Sequence, residues 1–244
     1  VNTLKDVNGA SGLTELAAGR RDLYRFLSAA FLEPPLPQFL ASLQDPAFQA
    51  ALAEWFSPAV AEELRRVSEA ANAPAFAGAV RREFTNLFLV PGGQYVAPYE
   101  SVFRDRREID GCEVSGLLLG QSALDVQQWY RLAALEVRGD FTELPDHIGL
   151  YFDYLAFLCE KEREFARAGD RRKLTRAREM QRDFLKAHVL SWLEALAAKL
   201  RAKARLPLYP AIASLAVYFC QNDLAALEST LGPSCGHRLP AYAA

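Results

Sequence analysis

"ELPDHIGLYFDYLAFLCEKE", residues 143–162, is the stretch whose reading decides the fold. Ile148, Phe152, Leu155 and Cys159 recur at helical spacing and share one face, while Asp153, Glu160, Glu164 and, further on, Arg167 mark a wet face. The pattern predicts a helix over 145–168. Pro145 suits its first turn, where a missing amide costs nothing. Asp146 is favoured at the same end by the helix dipole and by unpaired amides. Glu143, Asp146 and His147 are also the raw material of an acid/base or metal site. Physics alone reads them as a capped helix start, which leaves unexplained why a His follows at once after a long loop.

Working outward, the helical period dominates the chain. Leu13, Leu16, Leu23, Leu27 and Phe31 predict a helix over 11–32, stopped by "EPPLP" at 33–37. Short helices are expected near 36–43 and 46–55. Ser57 and Pro58 then open another, with Glu62 and Glu63 early in it. Phe76, Val80, Phe84, Leu87 and Phe88 stripe a helix over 75–89. Downstream, helices are expected over 115–137, 170–187, 188–204 and 208–230.

Two segments break the period. "VPGGQYVAPYESVFRD" at 90–105 combines two prolines and a Gly-Gly pair with Tyr95, Tyr99 and Phe103, aromatics that imply a loop packed on something. "RGDFTELPDH" at 138–147 is the other. Residues 104–113 are charged and expected to be exposed. No strand pattern or internal repeat stands out, so the expected architecture is all-α, a single globular bundle of about ten helices. Its halves are 1–110 and 111–232, packed as one globule, and 233–244 form a tail.

Composition narrows the function. The chain has 244 residues, a net charge of −2 and about half apolar residues. There is no basic excess to favour nucleic acid or anionic lipid. The start of the chain lacks the basic and apolar regions of a signal peptide, and no apolar run reaches 18 residues. Cys112, Cys159, Cys220 and Cys235 form no CxxC pair, which suits a reducing, cytoplasmic setting.

Motif tests for catalysis are mostly negative. "PGGQYVAPY" has glycines but no Lys-Ser/Thr to complete a phosphate loop. His147, His188 and His237 make no helical ligand pair, so no metal or cofactor is expected. His188 reads as a solvated or capping residue at a helix start. Ser101 lacks a GxSxG context and reads as a helix cap.

The residues do resemble a family. "ELPDHIGLYFDYLAFLCEKE" resembles the E-x-P-D-H motif of the TorD/DmsD/NarJ superfamily of redox-enzyme maturation chaperones. "NLFLVPGGQYVAPYESVFRD" is similar to that superfamily's aromatic LF…P segment running into P-Y/W-x-S-V. "HVLSWLEALAAKLRAKARLPLYPAIASLAVYF" looks like its closing pattern, and "YRFLSAAFLEPP" like its opening. The first three occur in family order over roughly 76–228.

The resemblance implies an all-α, TorD-like, cytoplasmic chaperone that is not an enzyme. Its implied partner is the apo catalytic subunit of a molybdopterin oxidoreductase and that subunit's twin-arginine signal peptide, held back until the molybdenum cofactor is inserted. No nucleic acid and no stable membrane insertion are implied, and the oligomer is a monomer or a domain-swapped dimer. The implied binding residues are Glu143, Pro145, Asp146 and His147, with Leu87, Phe88, Pro91, Pro98, Tyr99 and Ser101, and Phe103 offers a further aromatic. Glu143 and Asp146 would face the cations, and the aromatics would face the apolar part of the signal. Two other readings stay open. One is a helical enzyme with Glu143, Asp146 and His147 enclosed in a pocket; the other is a stable delta-type subunit of the reductase.

Overall fold

The computed structural model describes residues 10–109, 112–116, 118–135 and 143–231. His237 and Cys235 lie outside them, as does the whole of "RGDFT" at 138–142. The described residues form eleven α-helices, two π-helical segments and one two-stranded hairpin.

The N-terminal half is built by proline punctuation. α1 (Ala10–Leu32) ends before Pro34-Pro35. α2 (Pro37–Gln44), α3 (Pro46–Trp55) and α4 (Pro58–Ala70) each begin on a proline, whose fixed φ suits the first helical turn. Asp45 caps α3 by accepting from Ala47 N at 2.7 Å, and Ser57 caps α4 by accepting from Val60 N. α5 (Phe76–Phe84) runs into a π-helical turn, Thr85–Leu89, closed by Val90 N on Thr85 O at 3.0 Å.

Beyond the irregular segment 90–99 the chain departs twice from expectation. A short helix, α6 (Glu100–Arg104), lies inside the stretch read as loop. An antiparallel hairpin follows, β1 (Arg106–Ile109) with β2 (Cys112–Ser115), in register Arg106↔Ser115 to Ile109↔Cys112. It is the one sheet among the described residues, so the architecture remains an all-α bundle. α7 (Gln121–Leu132) is shorter than its expected span of 115–137.

α8 (Ile148–Ala168) is the central helix and lies along α1. Their approach is closest at Gly149: a Cβ there would sit 2.6 Å from Leu32 Cγ, so only glycine fits. Gly169, at φ +68°, ends α8 in the left-handed conformation glycine adopts freely. α9 (Arg171–Phe184) continues into a second π-helical turn, Leu185–Val189, where a helix start was expected; α10 (Leu193–Lys203) begins only afterwards. α11 (Leu208–Leu231) packs against α1, α4, α9 and α10.

One apolar cluster draws buried residues from α1 to α11. Its centre is aromatic: Phe31 is 5.8 Å from Phe88, 6.0 Å from Phe152 and 6.4 Å from Tyr209, measured between ring centres. Buried charges cross the same interface. Arg20 on α1 bonds Glu162 on α8 at 2.8 Å and Asp223 on α11 at 3.0 Å. Arg178 on α9 reaches Glu162 at 2.7 Å, and Tyr24 donates to Asp223 at 2.6 Å. These pairs fix which helix faces meet, because any other packing would bury the charges unpaired.

Candidate functional site

The two irregular segments singled out in the sequence meet. Ile148 N donates to Pro98 O at 2.9 Å and Glu100 N to Asp146 O at 3.1 Å, which makes an antiparallel bridge between Tyr99 and His147. The Tyr99 ring stands edge-on to the His147 ring at 5.2 Å. α6 and α8 therefore start back to back.

Asp146 and His147 each serve one of those starts. Asp146 Oδ2 accepts from Ser101 N at 2.9 Å, the role of an N-cap side chain, here supplied to α6 from 45 residues away. His147 Nδ1 accepts from Gly149 N at 3.0 Å and caps α8. Both side chains are buried. Burial pushes the Asp146 carboxyl above its usual range, against the pull of the Ser101 amide. Burial lowers the His147 imidazole to about 3, so it is neutral at physiological pH and an acceptor. Pro145 sits in the turn before α8 rather than inside it, and its carbonyl accepts from Tyr130 Oη at 2.9 Å. Ser101, expected as a cap, is instead buried inside α6, and Tyr99 occupies the cap position.

The exposed part of the junction is aromatic and acidic. Tyr99 is half-buried and its hydroxyl donates to Glu143. Burial first, and Glu143 second, push that phenol up. Tyr95, also partly exposed, is shifted upward by burial and by the same carboxylate. Glu143 thus holds the Tyr99 hydroxyl while part of its surface stays in solvent, and Leu144 and Pro145, also partly exposed, continue the strip.

The remaining sequence candidates fall elsewhere. Leu87 and Phe88 are core residues: Leu87 is fully buried, and Phe88 packs on Phe31, Phe84 and Tyr209. Pro98 is buried behind Tyr99, whereas Pro91 is exposed at the other end of the loop. That end is latched to α10, with Gln94 Nε2 on Lys203 O at 3.0 Å and Lys203 Nζ on Gly93 O at 2.7 Å. Phe103 packs on Trp192 at 5.1 Å under the Lys199 ammonium.

Sequence reading missed a hub directly behind the junction. Glu100, the first residue of α6, is wholly buried. Its carboxylate accepts from Tyr151 Oη and from Arg104, and lies 3.0 Å from His188 Nδ1. Arg104 also donates to Ala187 O at 2.8 Å. His188, expected to be solvated, is enclosed by Trp129, Tyr151 and Phe184 on the second π-helical turn. Such turns recur at functional sites, where the extra residue re-aims a side chain. The one sequence sign was an acid, Glu100, inside an otherwise apolar "VAPYESVF".

Asp146 Oδ2 and His147 Nδ1 accept from two separate backbone amides, those of Ser101 and Gly149. The described cavities are lined by other residues. Among the described residues, no group of three or more His, Cys, Asp or Glu is placed to hold a metal ion. No described helix is long and apolar enough to cross a membrane. The geometry is that of two capped helix starts joined back to back, with Tyr99 and Glu143 partly exposed beside them.

Comparison with known proteins agrees with the motifs. Residues 40–198 match the family model described as nitrate reductase delta subunit. The chain is 27% identical over 219 residues to the chaperone protein TorD of Vibrio cholerae serotype O1, covering 87% of this chain and 93% of that protein. It is 27% identical over 219 residues to the chaperone protein TorD of a Psychrobacter species, covering 89% and 83% respectively.

Proposed function

The chain belongs to the nitrate reductase delta subunit family and is a redox-enzyme maturation chaperone, and we propose that its client is the apo catalytic subunit of a molybdopterin oxidoreductase. The strip of Tyr95, Tyr99, Glu143, Leu144 and Pro145 receives the client's twin-arginine signal peptide. The protein acts in the cytoplasm, without catalysis, before the client is exported or assembled.

The observation that carries this reading is the joining of the two motif segments through the Tyr99–His147 bridge, with Glu143 left partly exposed beside the Tyr99 ring. A carboxylate offers a guanidinium two parallel hydrogen bonds, and flanking phenol rings add stacking surface. Asp146, His147 and Ser101 act from behind, by holding the strip in place. Leu87, Phe88 and Pro98 do the same through packing.

Calorimetry with a synthetic twin-arginine signal peptide tests this. The Arg-Arg peptide should bind at least tenfold more tightly than its Lys-Lys counterpart, roughly 1.4 kcal/mol. Glu143→Gln should erase most of that difference while leaving stability unchanged. Equal affinity for both peptides, in both proteins, would overturn the site.

A further inference from the structure

α8 runs from an acidic motif to a basic turn. It starts just after Glu143 and Asp146, and it ends roughly 30 Å away along its axis, where Gly169 and Asp170 lead into α9. Residues 161–178, "KEREFARAGDRRKLTRAR", carry eight Lys or Arg against three Asp or Glu, a net of +5 in a chain whose net charge is −2.

Some of these cations have partners. Lys161 pairs with Glu164, Arg163 with Glu160, Lys173 with Asp170 and Arg178 with the buried Glu162. Arg176 lies 3.5 Å from Glu179. Arg167, Arg171 and Arg172 are exposed and meet no acid among the described residues. They flank the Gly169-Asp170 turn. Helix stability does not account for them: the first turn of α9 holds no acid, whereas the helix dipole favours acids there.

The make-up of the patch selects the partner. A guanidinium fork offers a carboxylate two parallel hydrogen bonds. No large apolar side chain of 161–178 is exposed, so the patch lacks the hydrophobic face of a membrane-surface helix. Acids also interrupt it: the side chains of Asp170 and Glu164 are 34% and 48% exposed. A continuous polyanion would meet them, whereas a polypeptide can set its own acids against the three unpaired arginines alone.

We propose that the α8–α9 turn docks an acidic, extended segment of the client polypeptide, whose Asp or Glu side chains pair with Arg167, Arg171 and Arg172. This rests on the chaperone reading in making the occupant a polypeptide; the surface itself is separate from the Glu143 strip. The cations of a signal peptide are drawn to one end of α8 and repelled from the other, so charge orients a client that spans both. About nine extended residues cover the distance.

Fluorescence anisotropy with the full chain and a labelled Glu/Ser peptide is the test, with a Lys/Ser peptide of equal length as control. The Glu/Ser peptide should bind saturably and weaken as salt rises, and the Lys/Ser peptide should not bind. Arg167→Glu, Arg171→Glu and Arg172→Glu together should weaken binding at least tenfold, with unchanged helicity confirming the fold. Lysine at the same three positions keeps the charge without the fork and should cost about threefold. The Arg-Arg signal peptide is measured on the same protein. If it binds and the Glu/Ser peptide does not, this proposal alone falls; the reverse result removes the signal-peptide site and leaves this one standing. Equal binding by the glutamate variant overturns the proposal. So does tighter binding to phosphatidylglycerol vesicles or to polyuridylate than to the peptide, which would assign the arginines to lipid or nucleic acid. A salt-sensitive dimer lost in the glutamate variant overturns it too, by placing a second copy on the patch.

Discussion

Asp146 Oδ2 accepts the Ser101 amide at 2.9 Å, so the E-x-P-D-H segment caps a helix that begins in the other motif. Removing the carboxylate leaves a buried donor unpaired. Asp146→Ala should destabilise the protein by about 1–3 kcal/mol, and Asp146→Asn, which keeps an acceptor, by clearly less. Urea unfolding of the two variants measures the difference. The alanine variant should also bind the signal peptide more weakly, because α6 and Tyr99 lose their anchor. Equal stability of the two variants would mean that the carboxylate does not cap α6.

His147 gives a pH signature. Its folded value is lowered to about 3 by burial, while an unfolded His titrates near 6.5. Between those values the unfolded chain takes up a proton that the folded chain refuses. This residue therefore contributes a loss of stability as pH falls from about 6.5 toward 3, and nothing above that window. His147→Asn retains an acceptor for the Gly149 amide and should remove that slope. Urea midpoints at pH 7, 5.5 and 4.5 check it; an unchanged slope would place the titration on another group.

Gly149 tests the α1–α8 contact. A methyl group there would approach Leu32 Cγ to 2.6 Å and the His147 ring nitrogen to 3.1 Å. Gly149→Ala should cost roughly 1–3 kcal/mol through overpacking. Leu32→Ala in the same chain should recover part of it, which a double-mutant cycle reads directly. Additive losses would show that the two residues do not touch.

The buried charges across α1, α8, α9 and α11 predict a second pH limb. Burial alone would raise the Glu162 carboxyl, but Arg20 and Arg178 outweigh it and hold it below its usual range. A depressed carboxylate stabilises the fold above its unfolded value, near 4.3, and that contribution is lost as pH falls through the folded value. Arg20→Met should destabilise by about 3–5 kcal/mol, since it leaves buried acids uncompensated. Glu162→Gln should flatten the acid limb below about pH 4. Thermal melts at neutral and acid pH distinguish these outcomes.

The helices were legible because their signals are local. α1, α3, α8 and α11 lie within about three residues of their expected spans, and α4 starts at its expected Ser57-Pro58, since apolar spacing, Pro at the first turn and Ser or Asp caps act within a few residues. The hairpin was missed although "IDGC" places Asp-Gly between its strands, a turn-forming dipeptide overlooked in a charged stretch. α6 was missed because its cap comes from Asp146, and no window around residue 100 contains it.

By itself the sequence determined the helical architecture, the two motif-bearing irregular segments and the family. Tertiary structure alone decided what the motif residues do. Asp146 and His147 became buried caps, His188 became the partner of Glu100 across 88 residues, and Leu87 and Phe88 became core. Glu143, Tyr95 and Tyr99 were left at the surface. The physical reason is desolvation. Whether a polar side chain is offered to a partner or consumed by a backbone amide depends on what packs over it, and those neighbours lie far away along the chain.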